Sequence, residues 1–194
     1  MRTFSNIDVR LEDPVSVALG TFDGLHAGHR AVIRAAVDSA RSAGLTPAVF
    51  TFSTLPKNAF LPPEKQVKPL LTFEEKAGLI EKMGVELLFA PAFASDIYTI
   101  PAEDFIKDIL IGRLRAKHIV CGYDHRFGAG GAGDTDLLMR VCREENVGVT
   151  IVPPVMYKGE KISSTMIRQM LLDGRKEEAE ALLNSEFGMR NWSA

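Results

Sequence analysis

Cysteine is almost missing from this chain: two residues in 194, Cys121 and Cys142. They form no metal-spaced pair, and Cys121, at the end of an apolar run, is expected to be a buried free thiol. Long hydrophobic runs are missing too. No stretch reaches the roughly 18 apolar residues that span a bilayer, and the opening MRTFSNIDVRLEDP lacks the apolar core of a signal peptide. Neither charge dominates: 23 basic residues stand against 25 acidic ones, net −2, with no long run of one sign. A nucleic-acid binder usually carries a basic face, so nucleic acid is not an expected partner. Internal repeats and low-complexity segments are absent. What remains is ordinary for a globular domain, 46% hydrophobic and 25% charged, on a chain long enough to bury a real core. The expectation is a cytoplasmic protein that handles small molecules, away from membranes.

Apolar runs alternate with helical patterns. The runs at 15–20, 46–52, 85–91, 116–122 and 147–154 read as strands. Helices are expected at 29–44, closed by Gly44, and at 72–84, opened by Thr72 with Glu75 as a capping box. Others are expected at 101–114, with Pro101 in the first turn, at 134–148, and as two short helices after Ser163 and Gly174. The stretch 53–69 holds Pro56, Pro62, Pro63 and Pro69 and reads as a long loop. Strand and helix in alternation predict α/β architecture: a doubly wound, Rossmann-like parallel sheet of five strands covered on both faces. One domain is expected over 1–187, followed by a tail at 188–194.

In such sheets ligands bind at the carboxyl ends of the strands. There lies GTFDGLHAGH (20–29), with two of the chain's four histidines. Gly20 and Gly24 permit tight turns and close approach by a ligand. His26 precedes a helix and His29 lies in its first turn, so both can face one point, where the helix N-terminus adds unpaired N–H groups. That point suits an anion, phosphate above all. Zinc would need three or four ligands, and only His118 and His125 remain. A second motif, GEKISSTMIR (159–168), puts Ser163, Ser164 and Thr165 at another helix start, with Arg168 one turn on. Taken alone it reads as a cap; beside the histidine pair it reads as the other side of a polyphosphate site. A third, CGYDHRFGAGGAGD (121–134), follows the fourth expected strand and supplies Asp124, His125, Arg126 and Phe127.

Together these residues resemble the nucleotidylyltransferase superfamily, with its His-x-Gly-His after the first strand and a Ser/Thr-rich motif late in the domain. GTFDGLHAGH, TFSTLPKNAF, CGYDHRFG and KISSTMIR, in this order, resemble the FAD synthetase (FMN adenylyltransferase) module of bacterial bifunctional riboflavin kinase/FAD synthetases, over about 14–187. The resemblance implies adenylyl transfer from ATP to FMN. It implies His26, His29 and Arg168 as catalytic groups. ATP would bind through Gly20, Phe22, Gly28, His29, Ser163, Ser164, Thr165 and Arg168. FMN would bind through Asp23, Phe60, Tyr98, Asp124 and Phe127. Core packing is the alternative role for the three aromatics, and turn formation or an outer-shell metal contact for Asp23. Mg²⁺ is expected on the ATP phosphates, with no metal ligand from the protein. The kinase barrel that usually follows in the family is not expected here, so a separate riboflavin kinase would supply FMN.

Two departures stand out. The family's Thr-Phe-x-Pro-His-Pro reads here Thr51-Phe52-Ser53-Thr54-Leu55-Pro56, with Leu55 in the histidine's place, and Met166 stands where an arginine is usual. The first leaves open another small phosphate as acceptor (phosphopantetheine, nicotinamide mononucleotide or glycerol phosphate) or a non-catalytic flavin- or nucleotide-binding sensor.

Overall fold

The computed structural model describes residues 1–184; the expected tail and the last expected residues of the domain lie outside the described residues. Strand β2 (Val15–Leu19) leads into α1 (Ala27–Ala43) and β3 (Thr46–Phe50). Helix α2 (Phe73–Lys82) leads into β4 (Leu87–Phe89), then the short α3 (Ser95–Tyr98) and α4 (Ala102–Asp104). Next come β5 (Ala116–Gly122), α5 (Thr135–Glu144) and β6 (Gly148–Val152). The described chain closes with a small hairpin of β7 (Met156–Tyr157) and β8 (Glu160–Lys161), then α6 (Ser164–Leu172) and α7 (Lys176–Asn184).

The sheet has six strands, not five. The sixth is β1 (Arg2–Phe4), parallel to β4 at the edge. Its residues are exposed or half-buried and carry no apolar run, so no local pattern announces it. It becomes a strand through its neighbour: Phe4 stacks on Phe89 with ring centroids 4.9 Å apart. The order β1-β4-β3-β2-β5-β6 confirms the doubly wound parallel architecture. The chain moves outward from β2 through β3 and β4, returns across β2, and continues to β5 and β6. The reversal falls at the carboxyl end of β2, the place where such sheets open a crevice. There Leu19 lies level with Phe50 on one side and Cys121 on the other, so the loops that follow three strands emerge together.

Alternation within the strands feeds two core layers. Val17, Leu19, Ile119 and Cys121 face Phe105, Ile106, Ile109 and Leu110, with Leu138 and Val141 of α5. Ala18, Val49, Leu88 and Val120 face Val32, Ile33, Ala36 and Val37 of α1, with Ile80 of α2. Gly44 ends α1 in the left-handed conformation, φ 66°, its N–H bonded to Ala40 O. The capping box of Thr72 and Glu75 is present. Cys121 and Cys142 are buried free thiols, pushed up by burial to about 12 and about 11, so both are inert at neutral pH.

The helix expected at 101–114 begins as α4 but widens to a π-helix over Phe105–Arg113, where Leu114 N–H bonds to Ile109 O. Buried pairs recur every four residues, Phe105/Ile106 and Ile109/Leu110, and an apolar period of four does not distinguish the two windings. The proline-rich loop holds two short 3₁₀ turns, Pro56–Phe60 and Pro63–Lys65. Asn58 pins it by bonding both the N–H and the carbonyl of Val67 at 2.9 Å.

Gly128 sets the loop after β5 against the start of α4. Its φ is +72°, and a Cβ there would lie 2.4 Å from Ala102 Cα. Gly128→Ala is therefore expected to destabilise the protein by about 2 kcal/mol or more, read as a lower midpoint in urea unfolding.

Candidate active site

The turn between β2 and α1 is the centre of the site. Phe22 and Leu25 both adopt positive φ, 51° and 46°, and Gly24 has φ 83°. Non-glycine residues are strained there and need outside support. The support comes from alternate carbonyls. Thr21 O accepts the Thr51 hydroxyl at 2.9 Å, Asp23 O accepts the Ser164 hydroxyl at 2.8 Å, and Leu25 O accepts Arg30 Nε at 2.8 Å. The Asp23 carboxylate adds two more ties: one oxygen accepts Leu70 N–H at 2.9 Å, and the other accepts Arg168 Nη2, from α6 like Ser164. Apart from Arg30, five residues on in α1, the ties come from distant parts of the chain, so the turn's shape is largely a tertiary product.

This turn brings the two histidines together. His26 is the residue before α1, and His29 lies one turn in. Their rings stack with centroids 3.7 Å apart, and Phe22 props His29 edge-on at 5.4 Å. Gly28 leaves room for the stack, since a Cβ there would sit 3.3 Å from the His26 ring. Gly20 does the same for the Phe22 ring, at 2.8 Å. Phe22 itself is buried at 1% exposure, so its ring serves packing beneath His29. Burial pushes His26 down to about 4, against the pull of the Asp23 and Asp124 carboxylates. Burial, then the positive charges of His26 and Lys76, hold His29 well below the ordinary histidine value. Both rings are neutral at pH 7. Nδ1 of each is buried without a partner among the described residues. An orphaned lone pair is less costly than an orphaned N–H, which favours the tautomer with the proton on Nε2.

The second motif arrives on α6. Ser163 caps that helix by accepting Met166 N–H at 3.1 Å. Ser164 and Arg168 turn back to the histidine turn through the bonds to Asp23, and Arg168 also donates to Lys68 O at 3.0 Å. Thr165 is exposed. The third motif follows β5. Asp124 pairs with Lys161 at 3.0 Å. Phe127 is nearly buried, its ring beside Phe105 at 6.0 Å and His125 at 5.8 Å, so it belongs to the core and to the cleft wall at once.

These parts enclose one cleft of about 610 Å³, within the usual range for small-molecule sites. The expected residues Gly20, Phe22, Asp23, His26, Gly28, His29, Tyr98, Asp124, Phe127, Ser163, Ser164, Thr165 and Arg168 all line it. Phe60 does not. It stands at the rim, 67% exposed, against Phe93 and Tyr98 with centroids 6.1 and 5.2 Å away. The cleft has two halves. One holds the N-termini of α1 and α6; the other is walled by Phe52, Leu55, Phe93, Tyr98 and Phe127. Four cations, Lys57, Arg126, Lys161 and Arg168, line it against two carboxylates, Asp23 and Asp124, and both carboxylates are already paired. The balance suits a polyanion with an aromatic portion. Lys57 and Lys161 sit inside the TFSTLPKNAF and GEKISSTMIR motifs without having been singled out, and Phe93 lies outside every motif, where a phenylalanine carries no local signal of a cleft.

Residues 9–166 match the family model for FAD synthetase. This chain belongs to the FAD synthetase family. A bifunctional riboflavin kinase/FMN adenylyltransferase of Listeria monocytogenes is 36% identical over 88% of the chain, and the chain spans 54% of that relative's length. A second Listeria monocytogenes protein, named FAD synthetase, is 34% identical over 86% of the chain and 67% of its own length. Among solved structures, a Streptococcus pneumoniae protein named as a macrolide-efflux protein superposes with a TM-score of 0.84 at 34% identity, covering 95% of this chain and 60% of that one. Among the described residues no helix is long and apolar enough to cross a membrane.

Against the FAD synthetase pattern, the Leu55 departure is structurally consequential. Leu55 is buried and lines both the main cleft and a neighbouring cavity of about 420 Å³. Met166 packs partly buried against the cluster beneath α6 and α7. The matched segment ends at Met166, two residues short of Arg168.

Keeping the histidines neutral has a thermodynamic signature. Unfolded, His26 binds a proton below about 6.5; folded, it binds one only below about 4. Between those values the unfolded chain holds more protons, so stability falls as pH drops through that window. Urea unfolding at about pH 7 and about pH 4.5 is expected to differ by about 2–3 kcal/mol less in His26→Asn than in the wild-type chain.

Proposed function

We propose that this chain transfers the adenylyl group of ATP to FMN, giving FAD and pyrophosphate, in the cytoplasm. The observation that carries the reading is the two-sided cleft: a stacked, neutral histidine pair between two helix N-termini on one side, an aromatic wall on the other. The triphosphate lies across the N-termini of α1 and α6. An oxygen of the FMN phosphate attacks the α-phosphorus, the bond from that phosphorus to the β-phosphate oxygen breaks, and pyrophosphate leaves with the electron pair. The attacking oxygen is already an anion at neutral pH, so no general base is needed. Catalysis is positioning and charge stabilisation.

His26 and His29 donate Nε2–H to the α- and β-phosphate oxygens as charge builds. Ser163, Ser164, Thr165 and the backbone N–H groups of the first turn of α6 hold the β- and γ-phosphates. Arg168 neutralises the departing pyrophosphate. The isoalloxazine ring lies against Tyr98 and Phe127, with Phe60 closing the rim, and Asp124 reaches the ribityl chain. Gly20 and Gly28 let the nucleotide approach the backbone. ATP enters as its magnesium complex. The ion would ride on the ATP phosphates, where it would neutralise charge; among the described residues no group of three or more His, Cys, Asp or Glu could hold a metal. A riboflavin kinase activity, on this or another chain, has to supply the FMN.

A second reading rests on Leu55. With an apolar residue on the wall between the cleft and the smaller cavity, the acceptor could be another small phosphate such as phosphopantetheine, nicotinamide mononucleotide or glycerol phosphate. Incubation with ATP, Mg²⁺ and each acceptor, followed by chromatography, separates the two readings. FAD is the expected product. His29→Ala is expected to lower its turnover by about 10²-fold or more; undiminished turnover in that variant would remove the histidines from the mechanism. FMN bound tightly with no product from any acceptor would point to a sensor.

A further inference from the structure

Lys76 belongs to none of the motifs, yet it bonds to two of them. It projects from α2 into the core at 7% exposure. Its ammonium donates to Phe52 O at 2.7 Å, to Thr21 O at 3.3 Å and to Thr51 Oγ1 at 3.4 Å. All three acceptors are uncharged. The Thr51 hydroxyl gives its own proton to Thr21 O, so its lone pairs are what the ammonium meets. The charged and titratable groups that face it are Asp23, from the histidine turn, and His29, from α1. On its own helix it faces the Phe73 ring, whose centroid is 5.9 Å away. A buried cation held by neutral acceptors is a costly way to fill space that an apolar side chain of the same length would fill. Stability alone does not account for it.

The acceptors explain what the charge does. Thr21 opens the strained histidine turn, and Phe52 opens the segment that runs to Leu55 and Phe60. Each lies just past the end of a central strand. We propose that Lys76 is a positioning residue: its ammonium clamps the start of the histidine turn to the segment after β3, fixing the phosphate side of the cleft relative to its aromatic side, and sets a fixed positive charge behind His29. It touches no substrate and acts through the groups it holds. The activity readout of this idea rests on the proposed FMN adenylylation; the geometry does not. Burial pushes Lys76 down to about 8, with Asp23 opposing. Below that pH the clamp is charged; as pH rises through it the proton is lost and one hydrogen bond goes with it.

The test is Lys76→Met in the full chain, which keeps an unbranched apolar stem one atom shorter and removes the ammonium. Its kcat for FAD formation is expected to fall about ten-fold or more with both KM values within about three-fold, and its thermal midpoint is expected not to fall. The wild-type kcat is expected to decline above about pH 8, a limb missing from the variant. Amide signals of residues 21–25, followed by NMR, are expected to titrate with a midpoint near that pH in the wild type and not in Lys76→Met. An unchanged kcat in the variant, or an alkaline limb or amide titration that survives in it, would overturn the role of Lys76. A wild-type chain that makes no FAD would overturn the functional reading alone, and the amide titration would still decide the clamp.

Discussion

The strained turn from Thr21 to His26 is the constraint on which the site depends. Two non-glycine residues in it hold left-handed backbone, a state that persists only when the surroundings over-determine it. Here they do so through carbonyls 21, 23 and 25, held by the side chains of Thr51, Ser164 and Arg30 in turn. The same bonds join α1, α6 and the end of β3 around one point. Forming the histidine turn and assembling the cleft are therefore one event, and the polar groups spent on structure are those that aim the histidines.

Electrostatics follows from that packing. The stacked rings are too buried to carry charge, so the positive potential comes from helix ends and from Arg168, Lys57, Arg126 and Lys161 around the cleft. Neutral imidazoles suit a reaction in which negative charge moves along a phosphate chain: they offer hydrogen bonds without fixing a cation in advance. The Arg168–Asp23 pair keeps the Arg168 guanidinium oriented at the edge of the turn. The opposite wall is apolar and aromatic, which suits a flat ring.

Much of this was legible in the chain itself. Apolar runs marked five of the six strands because buried strands must be continuously apolar, and caps such as Thr72–Glu75 marked helix starts. The paired histidines between glycines, the serines at the start of α6 and Arg168 stood out by residue type and spacing, and the fold brings them to one cleft. The edge strand β1 was not legible, since it is defined by hydrogen bonds to β4 and by Phe4 stacking on Phe89 rather than by its own composition. Nor was the π winding of Phe105–Arg113, whose apolar spacing of four fits either helix.

What the sequence by itself determined is the alternation of strands and helices, the position of the glycines, and which residues can meet a phosphate. Tertiary structure alone decided the rest. It neutralised the histidines, because burial depends on what covers a ring and not on its neighbours in the chain. It placed Phe60 at the rim and Phe127 in the wall, two phenylalanines with equal local claims. And it brought Lys76, 55 residues from Thr21, beneath the turn, because only the register of β2 against β3 puts Thr21 and Phe52 within reach of one ammonium.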